Sequence, residues 1–100
     1  MTTAKDVIRL VLEDIDAEIN MLESHIDYAV DQTLNGREGK RCAMATGMDV
    51  LAASERFDYS IGYYSGWAGE CRSRRDALRR KRDYYVSLGK MYAEEAEENG

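Results

Sequence analysis

The side chains able to do covalent or metal chemistry are few in this sequence. His25 is the single histidine, and Cys42 and Cys71 are the two cysteines. Their wide separation gives neither a zinc knuckle nor a CxxC redox pair, and neither thiol sits in a sequence that marks a nucleophile. Carboxylates are plentiful. A carboxylate-bridged metal bundle, however, draws Glu-x-x-His pairs from two helices, which one histidine cannot supply. Gly62-x-x-x-Gly66-x-x-Gly69 is not a dinucleotide fingerprint, because no strand precedes it. No catalysis, cofactor or metal ligation is therefore expected, and His25 reads as a partly packed structural residue.

Residues suited to binding are more numerous. Arg72, Arg75, Arg79 and Arg82 stand three, four and three apart, which on a helix makes one guanidinium stripe. Tyr63, Tyr64 and Trp67 share an eleven-residue stretch, Ser60–Glu70, with three glycines. Rings of this kind bind at low entropic cost, so the stretch reads either as core packing or as a recognition surface. Leu10, Met21 and Tyr28 fall on the side of the first helix away from its main apolar stripe. A helix apolar on two sides either packs between neighbours or offers a patch to a partner. These ten residues are the candidate partner-binding set.

The element that must position them is the stripe from Ile8 to Thr33. Ile8, Leu12, Ile15, Ile19, Leu22, Ile26, Ala29 and Thr33 follow at alternating steps of four and three. That average of 3.5 residues puts all eight on one seam of an α-helix, as in a coiled coil, and a strand would scatter them over both faces. Thr3-Ala4-Lys5-Asp6 has the form of a capping box at the helix start. Ile15, Ile19, Leu22 and Ile26 are expected to be the most buried side chains.

Beyond this helix the sequence is harder to parse. Asn35-Gly36-Arg37-Glu38-Gly39 reads as a C-cap and turn. From about 40 to 60, Ala43, Gly47, Val50, Ser54, Phe57 and Ile61 form a second row, with Met44, Met48 and Leu51 beside it. The three glycines after Ile61 favour a break, since each costs about 1 kcal/mol within a helix relative to alanine. A last seam runs through Trp67, Cys71, Arg74, Leu78, Lys81, Tyr85, Leu88 and Tyr92. The expected fold is all-α, an antiparallel helical hairpin or small three-helix bundle forming a single domain over 1–100. Its helices lie near 4–34, 40–60 and 68–95, and an acidic tail at 94–100 should fray because its carboxylates oppose the helix dipole.

Composition bounds the rest. The 100 residues carry 33% charged side chains, a net charge of −5 and no proline, which favours few, long helices. The charge is segregated. Residues 1–36 hold two bases against eight acids, and residues 70–93 hold eight bases against three acids. Pairing of an acidic with a basic helix inside one bundle is the simplest account. No signal-peptide pattern and no membrane-length apolar run is read, so a cytoplasmic protein with reduced thiols is expected.

Small acidic helical proteins of this build resemble those encoded by phages and mobile elements, including anti-CRISPR inhibitors and other host-takeover factors. The resemblance is to a type of protein and carries no residue roles. It implies a non-enzymatic protein-interaction module docking on a larger protein or nucleoprotein complex. The alternatives are a nucleic-acid binder using the Arg72–Arg82 stripe, an acidic nucleic-acid mimic using the first helix, and a homodimeric structural bundle. An acidic pI near 4.9 weighs against direct nucleic-acid binding.

Overall fold

The computed structural model describes the backbone of residues 3–99 and the side chains of residues 3–93. Two helices make up the fold, α1 (Ala4–Ala45) and α2 (Val50–Asn99), joined as a helical hairpin with no strand among the described residues. The all-α expectation holds, and the three-helix alternative does not. The Asn35–Gly39 segment continues α1, and Ser60–Glu70 continues α2. α2 runs through Asn99, across the acidic tail expected to fray, and the side chains of that tail lie outside the described residues.

Local chemistry explains the helix ends. The Asp6 N–H donates to Thr3 Oγ1 at 3.1 Å and the Thr3 N–H donates to Asp6 Oδ2 at 3.3 Å, closing the capping box. Hydrogen bonds from the Thr3 backbone and hydroxyl hold the Asp6 carboxyl below its ordinary pKa. At the other end of α1, Gly47 takes a φ of 110°, a conformation that suits glycine. The Met48 N–H then reaches Ala43 O at 3.0 Å and the Gly47 N–H reaches Met44 O at 3.2 Å, a Schellman-type closure. Asp49 starts α2, its Oδ1 accepting the Ala52 N–H at 2.8 Å. The turn thus falls eleven residues later than the Gly36-centred turn expected from the sequence, and it leaves Val50 and Leu51 exposed.

The chain forms two compact units, one from residues up to Leu22 with those from Arg74 onward, the other from Glu23–Ser73. In the first, Ile8, Ile15, Ile19 and Leu22 of α1 are buried, while α2 answers with half-buried Arg75, Leu78, Arg82, Tyr85 and Val86. In the second, Ile26 is buried and burial otherwise falls on smaller side chains: Ala29 and Thr33 from α1, and Ala53, Ala68 and Cys71 from α2. The Thr33 hydroxyl is satisfied by donating to Ala29 O at 2.8 Å.

Gly36 and Gly39 explain why α1 does not stop at Asn35. A Cβ on Gly36 would lie 2.9 Å from Ile61 Cγ1, and one on Gly39 would lie 2.9 Å from Phe57 Cε1. Both glycines therefore sit where α2 side chains press onto the α1 backbone, and packing outweighs their poor helix propensity. Gly62, Gly66 and Gly69 are different. Nothing lies within 4 Å of where their Cβ atoms would be, so they neither break α2 nor line a crossing in this structure.

The inward face of α2 is also turned from its expected position. Cys71, Leu78 and Tyr85 point inward as read, but their companions are Ala68, Arg75, Arg82 and Gly89, while Arg74, Lys81 and Tyr92 are exposed. Ala68 and Gly89 permit close approach. Arg75 and Arg82 cover the seam with their stems and keep their heads at its edge.

Two expectations follow. Leu22→Ala should lower unfolding free energy by about 2–5 kcal/mol in denaturant titration, because a buried Leu leaves a cavity. The glycines should divide by position. Gly66→Ala should raise stability by up to about 1 kcal/mol, whereas Gly39→Ala should melt below the parent despite the same propensity gain.

Candidate protein-interaction surface

In the unit formed by Glu23–Ser73, both helices contribute rings to one cluster. Trp67 of α2 lies against His25 of α1, ring centroids 5.4 Å apart and planes at 41°. Tyr28 of α1 meets Tyr64 edge-on at 6.0 Å and Trp67 edge-on at 6.1 Å. Tyr63 packs edge-on against Tyr64 at 5.2 Å, and Tyr64 lies 6.4 Å from Trp67. Edge-to-face pairs at these separations are the favoured geometry for aromatic quadrupoles, and each contributes about 0.5–1.5 kcal/mol beyond area burial. A hydrogen bond with Tyr28 pushes the Tyr64 phenol up from its ordinary pKa.

Heptad position explains the cluster. Tyr64 occupies an inward position of α2 in register with Phe57 and Cys71, so its ring is half-buried. His25 and Trp67 each stand one residue before an inward residue, Ile26 and Ala68 respectively, on the same flank of the helix pair. Tyr28 and Tyr63 stand farther out. These residues are 50% and 58% exposed, and Tyr59, one turn before Tyr63, is 83% exposed. The cluster is therefore anchored at its base and open at its rim.

The sequence-derived candidates are only partly brought together. Tyr28, Tyr63, Tyr64 and Trp67 form this cluster. Leu10 and Met21 are exposed on α1 in the other unit. The arginine stripe is divided. Arg75 and Arg82 turn to the seam, and Arg72 and Arg79 lie outside it. Arg82 Nε donates to Asp16 Oδ1 at 2.6 Å, which raises the Arg82 pKa, and Arg75 and Arg79 lie 3.2 and 3.8 Å from Asp76. Arg74, outside the stripe, donates to Glu18 Oε1 at 2.6 Å. Acidic α1 and basic α2 thus meet directly in this unit, each exposed pair contributing about 0.2–1 kcal/mol.

Sequence reading missed Tyr59 and the ring role of His25. His25 carried a legible signal, since its place beside the seam predicts contact with whatever the opposing helix presents there. The same unit also has a groove of about 170 Å³ on its other flank, lined in part by Arg37 and Arg72. Cys71 and Cys42 form no disulfide, and Cys71 is buried while Cys42 is exposed. Among the described residues no group of three or more His, Cys, Asp or Glu side chains is placed to hold a metal ion, and no helix is long and apolar enough to cross a membrane. Compared with known protein families, curated proteins and solved structures, the chain matches none.

Truncations should separate base from rim. Trp67→Ala removes contacts to both helices and should cost about 1–3 kcal/mol of stability. Tyr59→Ala should stay within about 0.5 kcal/mol of the parent, as exposed substitutions do, and Tyr63→Ala should lose only its one edge-on contact with Tyr64, about 0.5–1.5 kcal/mol. Chemical denaturation followed by circular dichroism makes the comparison.

Proposed function

We propose that this chain is a non-enzymatic interaction module that docks on a larger protein or nucleoprotein assembly through the aromatic flank of its second unit. The observation that carries this reading is the half-open ring cluster. Tyr64 and Trp67 are held by contacts across the helix pair, while Tyr28, Tyr59 and Tyr63 leave large ring area in water. Burying such rings on a partner is the usual source of dominant binding energy at an interface, and rigid placement lowers the entropy lost on docking. Inhibition of a host assembly by a phage- or mobile-element-encoded factor is the specific form suggested by the build of the chain, and it rests on that resemblance.

The arginine stripe supports this reading over the nucleic-acid alternative. Arg75, Arg79 and Arg82 already face carboxylates of their own chain, and phosphate binding would have to displace them. The aromatic flank is tested by comparing the parent with Tyr63→Ala and with a Tyr59→Ala/Tyr63→Ala double variant. Each is used as bait in native host extract and then titrated against the recovered partner. The expected result is one partner bound by the parent and weakened by more than about 1–2 kcal/mol in the double variant, which circular dichroism should show still folded at the temperature of the titration. Equal binding by parent and double variant would refute the surface, and a stable dimer of the free chain by light scattering would favour the structural-bundle alternative.

A further inference from the structure

The flank opposite the rings carries a second feature with different chemistry. Val30 and Arg37 each stand one residue after an inward position of α1, Ala29 and Gly36. Ser65 and Arg72 each stand one residue after an inward position of α2, Tyr64 and Cys71. His25 and Trp67 stand one residue before such positions, so the two sets lie on opposite sides of the helix pair. Here Val30, Leu34 and Ala68 form the wall of a groove of about 170 Å³, and Arg37, Arg72 and Ser65 supply its polar groups. A liquid water takes about 30 Å³, so the groove has room for a tetrahedral anion with an attached group.

Two arginines from different helices line this groove, and no Asp or Glu lines it. The contrast with other cations of the chain is informative. Lys40, Arg74 and Arg82 each reach a carboxylate on the opposing helix within 2.7 Å. Arg41, Arg75 and Arg79 have carboxylates on their own helix. Arg37 and Arg72 have no ion-pair partner among the described residues. The carboxylates nearest them in sequence are engaged elsewhere, Glu38 by Arg41 and Asp76 by Arg75 and Arg79. The Thr33 hydroxyl, also on the groove, is committed to Ala29 O. Among the described residues Ser65 donates to no side chain or backbone group.

We infer that this groove is an oxyanion site that takes a phosphate monoester, with Arg37 and Arg72 clamping the phosphate from opposite helices. Each planar guanidinium offers a fork of N–H donors that matches two phosphate oxygens, and Ser65 adds a hydroxyl donor. Charge favours phosphate over carboxylate. Two guanidiniums bring two positive charges, which a monoester of charge about −1.5 to −2 at neutral pH balances and a carboxylate leaves half uncompensated. The wall of Val30, Leu34 and Ala68 receives the apolar part of the ester. This site shares no residue with the ring cluster, so it stands whether or not that flank docks a partner.

Phenyl phosphate, inorganic phosphate and benzoate serve as probes, each titrated into the full chain and followed by amide chemical shifts. The expected result is saturable binding of phenyl phosphate, with shifts centred on residues 30–37 and 65–72. Inorganic phosphate should bind the same residues more weakly for want of the wall contact, and benzoate should bind weakest. Because both arginines are exposed and without an ion-pair partner, Arg37→Gln and Arg72→Gln should fold like the parent. Each should weaken phenyl phosphate binding about tenfold or more, the loss expected for a charge-assisted hydrogen-bond pair. Benzoate binding as tightly as phenyl phosphate would overturn the assignment. So would affinity unchanged within about twofold in both variants, or shifts spread over Lys5, Arg9 and Lys90 as well, since a diffuse cationic surface would give either result.

Discussion

Everything in this fold depends on one aliphatic stripe finding cover. Helices of 42 and 50 residues in a protein owe most of their stability to packing of an apolar face rather than to intrinsic propensity. Their stability comes from removing apolar surface from contact with solvent, about 25 cal/mol for each Å². In the unit holding the helix start of α1, that surface is Ile8, Ile15, Ile19 and Leu22, and α2 covers it with mixed side chains. In the unit formed by Glu23–Ser73 the buried large aliphatics give out after Ile26, and closeness replaces bulk. Ala29, Gly36 and Gly39 on α1 and Ala53 and Ala68 on α2 bring the backbones near enough for Ile61 and Phe57 to seat against glycine.

Close approach has a consequence for the flanks. When the inward residues are small, the residues just beside them are drawn into contact across the pair. Trp67, beside the small Ala68, meets His25 on one side, and Tyr28 follows because it lies one turn outside His25. On the other side the same closeness sets Arg37 and Arg72 along a common groove. One flank is thus aromatic and the other cationic, and each chemistry is assembled from both helices rather than presented by one.

The sequence made α1 legible because its seam is written in large residues. The four-three spacing from Ile8 to Thr33, the capping box at Thr3 and the burial of Ile15, Ile19, Leu22 and Ile26 could all be read from residue type and interval. Reading failed where glycine carried the seam. Gly36 extends the series Ile8, Ile15, Leu22, Ala29 by one more interval of seven, yet local turn preference pointed to a cap, because propensity takes no account of a side chain pressing in from another helix. The true turn had a signal in Gly47 followed two residues later by Asp49, a helix-ending and a helix-starting residue in sequence. On α2 the alternative inward faces differ by one residue, and alternating Arg, Ala and Tyr do not choose between them. Only the pairing with α1 decides that Ala68 faces in and Trp67 lies beside it. The meeting of Tyr28 with Tyr64 and Trp67 was illegible for the same reason, since it needs the register that the turn at Gly47 sets.

That register is the claim on which both flanks rest, and ring-to-ring nuclear Overhauser effects in the free protein test it most directly. The structure requires cross-peaks from the His25 ring to Trp67 and from the Tyr28 ring to both Tyr64 and Trp67, because their centroids lie 5.4 to 6.1 Å apart. A hairpin that turned at Gly36 would instead bring residues 40–60 against α1, and Tyr28 contacts to that segment without any to Tyr64 or Trp67 would contradict the account.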